Sequence, residues 1–474
     1  MATLSIPGVA AERRTAPREA VEAFEARLDG SLIRPGDGAY DDAIRIWNGM
    51  IKKRPSMVVR PSGTTGVIQT VNFARDHGLE LSIKGGGHNI AGLALSDGGI
   101  TLDMSGMRSV SVEVRARRAT AEAGCVLGDL DRATQHHGLA TALGFVSLTG
   151  LAGLTLGGGF GYLSRRFGWT VDDLEEVEIV TADGIARRAS RTEHADLFWA
   201  IRGGGGNFGV VTSFVFRLHE IGPQVTAGLI AWPASEAEGV LEVFRRVAEA
   251  APRELTLAAL MRNAPAAPWL AQTAHGTPIV AILACHSGSA EQAAADLAPI
   301  KQHGRPLADL VQVKPYVAQQ SMLDATQPAG RHYYWKSEFL PGIDAGFLAT
   351  YREQFVGNTS PANQIVLFQM GGAIADRPED DGAVGNREAS FACVIQASWP
   401  EGDPEAAAHL DWVRRAWGAL KSHSTGGNYV NFQTEDEVDE RTRQSYRDNF
   451  ARLAAVKAAY DPTNLFRVNR NIQA

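Results

Sequence analysis

Short apolar runs separated by turn-forming residues dominate the chain from 57 to 122, the texture of brief strands. "MVVRP" at 57–61, "LELSIKG" at 79–85, "ITLDM" at 100–104, "VSVEV" at 110–114 and "RRATAEAG" at 117–124 read as strands. Between the first two, "SGTTGVIQTVNFARDHG" sets Val67, Val71 and Ala74 at helical spacing. "VLGDLDRATQHHG" (126–138) reads as a helix with a glycine stop. "LEEVEIVTADG" (174–184) is a strand with a turn at Asp183-Gly184, and "GVVTSFVFRLHEI" (209–221) is one long strand. Residues 1–40 carry little pattern beyond a short helix around Glu19–Leu28.

Near 222 the elements lengthen. "VTAGLIAW", a helix at 234–250, "ELTLAALM", "PIVAILACHSG" and a helix at 289–303 come first. "HYYWKSEFL" (332–340), a helix around 343–356, "QIVLFQMGG" and "FACVIQASW" follow. A helix at 404–421 puts Leu410, Val413, Trp417 and Leu420 on one face. This predicts an α+β domain, one large sheet with helices packed on one side. A last helix, 439–459, precedes "DPTNLF" and the polar tail "RVNRNI", which predicts docking back onto an earlier domain. The expected division is 1–221, 222–435 and a returning segment 436–474. No fixed-period repeat is visible.

Composition narrows the function. Of 474 residues, 45% are hydrophobic and 21% charged, with net charge −7, so a sizeable core is available and no basic surface for nucleic acid is indicated. No apolar run is long enough to span a membrane, and the N-terminus lacks the apolar core of a signal peptide. The reading is a soluble cytoplasmic protein. Cys125, Cys285 and Cys393 are widely spaced and form no C-x-x-C, which argues against a zinc ribbon or a disulfide framework. Cys125 reads as a small buried thiol ahead of a nucleophile or flavin ligand.

Three glycine runs stand out, at Gly85–Gly87, Gly157–Gly159 and Gly203–Gly206. Glycine loops expose backbone N–H groups, and two such nests can clamp a pyrophosphate; tight turns in crowded packing are the alternative. "GGGHNIAG" can be forced onto G-x-G-x-x-G, but loop and strand follow it instead of a helix, so a Rossmann site is poorly supported. No P-loop or H-E-x-x-H is present, and "DRPEDDG" (376–382) is not an EF-hand loop.

The segment "RPSGTTGVIQTVNFARDHGLELSIKGGGHNIAG" resembles the FAD domain of the vanillyl-alcohol oxidase superfamily, and more narrowly the berberine-bridge-enzyme-like flavoproteins. "GGGFGYLSRRFGWTVDDLEEVEIVTADG", "DLFWAIRGGGGNFGVVTSFVFRLH" and "YDPTNLFRVNRNI" match in the same order, together covering roughly residues 45–220 and the C-terminal end. The resemblance implies a two-subdomain FAD-binding domain, with its core at about 45–221, joined to a substrate domain built on a large antiparallel sheet covered by helices. It implies that His88 carries a covalent bond to the flavin C8 methyl, where a lone histidine would otherwise read as a turn hydrogen bond. Lys84, Gly85, Gly86, Gly87, Asn89 and Gly92 fall in the same cofactor motif. The second, cysteinyl link of many relatives falls at Val146, which cannot form a thioether, so a single covalent link is expected, as in the 6-hydroxynicotine oxidase branch. Ser147, Thr149, Gly150 and Gly153 are implied to run beside the cofactor, with Thr149 at the position governing oxygen access. Gly157, Gly158, Gly159, Gly161, Val211, Asn431 and Asn469 complete the expected cofactor set.

The expected chemistry is oxidation of an alcohol or amine, with hydride transfer to flavin N5 and reoxidation by oxygen to hydrogen peroxide. Period-2 alternation puts His332, Tyr334, Lys336 and Glu338 on one strand face. That face is either a polar cavity wall or a solvent-facing sheet surface; the resemblance favours the cavity. Tyr334, Lys336 and Glu338 are then candidate catalytic groups and His332 a substrate contact. In "GNYVNFQ" the same alternation groups Tyr429 with Asn431; the segment resembles the family's Y-x-N stretch near the flavin, which implies Tyr429, its pKa lowered by Lys336, as the base. A core tyrosine is the alternative. Gln369 is a further candidate substrate contact. A dehydrogenase with another acceptor and a flavin-binding module without turnover remain as alternatives; a hydrolase lacks any motif. Substrate identity and oligomeric state are not encoded in a readable way.

Overall fold

A computed structural model describes residues 15–473; the reading of residues 1–14 as free of a signal peptide lies outside that range. The strands Met57–Pro61 and Leu81–Lys84 both run parallel to Ile100–Asp103, which lies between them. Gly30–Ile33 closes the far edge antiparallel to Met57–Pro61. A parallel arrangement needs a crossover, and the helix Thr64–Asp76 supplies it. Its apolar face, with Val67, Val71 and Phe73, is buried, and Gly78 beyond its end takes φ +61°, the left-handed geometry of a helix stop. A second, five-stranded antiparallel sheet is ordered Val110–Glu113, Arg118–Glu122, Val210–Arg217, Leu174–Val180, Ala186–Ser190. One core cluster joins both sheets around that helix.

From Gln224 the chain builds an eight-stranded antiparallel sheet. Its central order is Gln224–Pro233, Pro278–His286, Leu255–Asn263, Gln364–Gln369, Phe391–Trp399, His332–Leu340. The four helices Ala237–Ala250, Ala290–Lys301, Ala345–Val356 and Ala406–Leu420 share a core with one face. Leu255, Leu257, Ala259 and Met261 point to that side, while Ala258, Leu260 and Arg262 point away from it. The expected one-sided helix cover is therefore what the chain builds.

Two long elements divide. The strand expected over 209–221 ends at Arg217, and His219–Glu220 pairs instead with Leu139–Ala140. His219 is drawn away by Asp173, 2.8 Å from its Nε2, and by stacking on Phe167. The helix expected over 439–459 splits into Asp439–Tyr446 and Asn449–Tyr460 at Arg447, whose φ is 50°. Asn449 Nδ2 donates to the carbonyls of Glu379 and Gly382, which fixes the second helix apart from the first. The tail docks on the first part of the chain: Lys457 Nζ donates to Asn207 O at 2.8 Å, and Asn207 Nδ2 donates to Arg470 O at 3.1 Å. Among the described residues no helix is long and apolar enough to cross a membrane. No three His, Cys, Asp or Glu side chains among them are grouped to hold a metal ion.

Candidate active-site cavity

A cavity of about 820 Å³ lies between the face of the large sheet opposite its four long helices and the glycine loops of the first domain. That is in the upper range for small-molecule sites. Two of the three glycine runs reach it: Gly85–Gly87 follows the strand Leu81–Lys84, and Gly204–Gly206 precedes Val210–Arg217. The segment Val146–Gly153, a loop that runs at Gly150 into the helix Leu151–Leu156, passes so close to the first run that a Cβ on Gly86 would sit 2.5 Å from the Gly150 backbone. Only glycines allow that approach. The third run, Gly157–Gly159, packs instead against Asn431, Val384 and Thr170, outside the cavity wall.

His88 lines the cavity. Its Nδ1 lies 3.1 Å from Gly86 O. A carbonyl only accepts, so Nδ1 carries the hydrogen and Nε2 the lone pair. Burial pushes the imidazole below its ordinary range, partly opposed by Gly86 O and Asp324, so the neutral form is favoured. Trp47 stacks beside it, ring centroids 5.9 Å apart, and on Tyr333 at 3.8 Å. Asn48 exchanges hydrogen bonds with the Tyr333 backbone at 3.0 and 3.1 Å, pinning the edge strand of the large sheet over the histidine loop.

The other expected cofactor positions separate by depth. Gly85, Gly86, Gly87, Asn89, Val146, Thr149, Gly150, Gly153, Val211, Asn431 and Asn469 line the cavity. Lys84 does not; its Nζ donates to Ala43 O at 2.7 Å beneath the loop. Ser147 is tied by backbone and hydroxyl to Asp324, at 2.9 and 2.6 Å, and so positions the loop. Gly92 and Gly161 sit behind the wall, facing Ile51 and Leu143. Cys125 is buried, and burial pushes its thiol up to about 12, an inert structural group.

The polar face of His332–Leu340 does not look into the cavity. His332, Tyr334, Lys336 and Glu338 point to the helix side. There Lys336 Nζ pairs with Asp436 at 2.8 Å and Glu437 at 3.0 Å, and the Tyr334 hydroxyl donates to Asp436 at 2.7 Å. Glu338 accepts from Trp417 Nε1 at 2.7 Å and pairs with Arg441 at 3.0 Å. His332 packs edge-on to Trp399. The period-2 rule grouped these residues correctly but could not say which face the helices cover. Gln369 also falls on the helix side, donating to Ala248 O at 2.7 Å and accepting from Leu257 N–H at 3.0 Å.

Tyr429 and Asn431 do reach the cavity, but from a 3₁₀ turn, Val430–Phe432, and not from a strand. The Tyr429 oxygen accepts from Gly159 N–H and Asn431 Nδ2, both at 2.9 Å. Asn431 Nδ2 also faces the carbonyls of Gly153 and Leu154 at 3.3 and 3.2 Å, so its amino group is spent on the wall. Lys336 takes no part here. Burial pushes the phenol up to about 12 against those two donors, the opposite of the expected lowering.

The residues that sequence reasoning missed are on the alternate side of the same strands. Trp335, Gln396, Gln364 and Arg262 face the cavity. Trp335 alternates with the polar residues of its own strand, and strand order was needed to bring the other three beside it. From the tail, Arg470 reaches the wall, its Nε buried without a partner, as is Asn469 Oδ1.

These features fit a flavin dinucleotide. Cβ atoms on Gly153 or Gly206 would meet nothing within 4 Å, so both glycines leave open space where backbone can meet a ligand. Two orphaned polar atoms at Asn469 and Arg470 await a partner. No carboxylate lines the cavity among the described residues, which suits an anionic diphosphate.

Comparison with known proteins bears on the same regions. Residues 55–190 match the family model described as "FAD binding domain", and residues 428–473 match "Berberine and berberine like". The chain is 30% identical to (R)-6-hydroxynicotine oxidase of Paenarthrobacter nicotinovorans over 94% of this chain and 97% of that protein. It is 33% identical to an FAD-linked oxidoreductase of Aspergillus fumigatus over 92% and 95% of the two chains. The crystal structure of 6-hydroxy-D-nicotine oxidase from Arthrobacter nicotinovorans superposes with TM-score 0.83 at 28% identity, covering 94% of this chain and 98% of that one.

Proposed function

The chain belongs to the berberine-bridge-enzyme-like FAD-linked oxidoreductases, and from that premise we propose that it is an oxidase of a small or mid-sized alcohol or amine, with FAD held covalently by His88 alone. When bound, FAD supplies a hydride acceptor and passes the electrons to oxygen, giving hydrogen peroxide. The His88 geometry carries the reading: a neutral imidazole, its Nδ1–H held by Gly86 O, with Nε2 free as nucleophile at the cavity wall. Val146, which the family resemblance aligns with the second, cysteinyl link, lines the cavity without a sulfur, and this supports single attachment. The loops Gly85–Gly87, Val146–Gly153 and Gly204–Gly206, with Asn469 and Arg470, would hold the cofactor by backbone N–H groups and one guanidinium.

Tyr429 is the group proposed to take the substrate proton. Among the cavity-lining residues its titratable partners are His88, Tyr446 and two arginines, none of which is a better acceptor in place. The two N–H donors on its oxygen stabilise the phenolate form in which it would act. Thr149 lines the cavity, where its small side chain would leave oxygen a path.

The deciding experiment is acid precipitation of flavin-saturated protein. The pellet should stay yellow, and peptide mapping should place the flavin on His88. His88→Ala should give a colourless pellet from a folded protein that still binds FAD reversibly. A colourless wild-type pellet, or a yellow His88→Ala pellet, overturns the attachment. Peroxide formation in air then separates oxidase from dehydrogenase.

A further inference from the structure

The cavity face of the large sheet is apolar except for one row. Arg262, Gln364 and Gln396 are cross-strand neighbours in register, and Trp335 continues the row on the edge strand. The next row, two residues along, is Leu260, Val366 and Val394. Strand spacing puts Arg262 and Trp335 roughly 14 Å apart, so the row crosses much of the cavity.

Arg262 is the anomaly in it. Its single hydrogen bond is from Nε to the carbonyl of its own neighbour Asn263, at 3.2 Å. Its two terminal amino groups have no partner among the described residues. Three of the buried arginines are matched by carboxylates: Arg387 to Asp172 at 2.8 Å, Arg202 to Asp381 at 3.3 Å, Arg441 to Glu338 at 3.0 Å. Arg165 lacks a carboxylate but donates to the carbonyls of Leu255, Met370 and Ala251. Arg262 is part-buried at the cavity wall with no counter-charge, and desolvation is the one influence pushing it below its ordinary range. Two strands along the row, beyond Gln364, Gln396 Oε1 accepts from both Gln364 Nε2 at 2.9 Å and Gln327 Nε2 at 3.1 Å. That assignment leaves Gln396 Nε2 as a second donor with no protein acceptor.

We propose that the substrate of this cavity carries a carboxylate, bound by the Arg262 guanidinium with help from the Gln396 amide, while its apolar body lies along Leu260, Val366 and Phe368. The inference rests on the FAD-oxidoreductase reading for what happens to that substrate, but not for the existence of the anion site. A carboxylate suits a single guanidinium, which binds it through two parallel N–H donors. A phosphate dianion would call for further charge, and no second cation stands in the row. The competing source of an anion is the cofactor's own diphosphate. Against it, Arg262 lies on the large sheet, whereas the glycine loops and Arg470 belong to other elements.

The test uses the holoprotein and three probe pairs: benzoate, phenylacetate and 3-phenylpropionate, each against its amide, by calorimetry at low salt. At least one acid should bind about tenfold or more tightly than its amide. Arg262→Gln should abolish that preference while amide affinity changes by no more than about threefold, and Arg262→Lys should restore part of it. The variants should keep their FAD. The proposal is overturned if no acid is preferred by the wild type, if the preference survives Arg262→Gln, or if a folded Arg262→Gln loses FAD. The wild-type comparison stands even if that variant fails to fold. Failure of the oxidoreductase reading registers separately, as absence of flavin from the protein, and calorimetry still reads the anion site.

Discussion

At the scale of single residues, Tyr429 carries the most exposed prediction. With the phenol pushed up to about 12, only a small fraction is ionised near neutrality. If the phenolate takes the substrate proton, that fraction grows tenfold per pH unit below the pKa. The rate of flavin reduction by any competent substrate should therefore climb through pH 7–10 without a plateau. Tyr429→Phe should be slower by about a hundredfold or more at the alkaline end and lose the slope. A flat wild-type profile, or a Phe variant that keeps the slope, removes Tyr429 from the proton path. Sequence reasoning pointed to this tyrosine and His88, both of which line the cavity, but misplaced Lys336, because a charge is legible in a sequence and its counter-charge a hundred positions away is not. Asp436 and Glu437 claim that lysine from a segment with no pattern of its own.

At the scale of elements, the glycine loops separate two uses of a missing side chain. Gly86 is pressed against the Gly150 backbone, so Gly86→Ala must push two loops apart. Gly153 faces open space, so Gly153→Ala fits the fold and only narrows the cavity. We expect Gly86→Ala to lower both the melting temperature and the FAD content. Gly153→Ala should melt within about a degree of wild type, since surface-like changes cost little, yet bind FAD more weakly. Thermal melts and flavin absorbance on the two variants check this; equal behaviour would contradict it. The strands and long helices were legible because their periodicity is strong. The failures sit where a single distant bond redirects the chain, as Asp173 does at His219 and Glu379 does at Asn449.

At the scale of the whole molecule, the two large units meet partly through polar groups with no partner. Asp131, on the helix Leu127–Gln135, is buried near Tyr316 and Gln320 of Tyr316–Gln320. Neither carboxyl oxygen has a partner at hydrogen-bond geometry, although the Gln320 amide and Arg132 ease the cost. Burial pushes this carboxyl up to about 8. Its folded value lies above the unfolded one, about 3.9, so its contribution is complete below pH 4 and is lost as pH rises towards 8. Asp131→Asn should accordingly raise the melting temperature at pH 8 and leave it nearly unchanged at pH 4. An equal shift at both values would show that Asp131 does not titrate in this way. Sequence pattern could not find this contact, since it depends on how two sheets are set against each other.

Val468, Asn469 and Arg470 form part of the same wall as Gly85–Gly87. The enclosure is thus made from segments translated at nearly opposite times. A nascent polypeptide paused between residues 88 and 467 has the histidine but lacks this last piece of the wall around it. On the proposed attachment at His88, flavin joins the chain only once these last residues have been made, and a stalled or clipped product should accumulate as a colourless species.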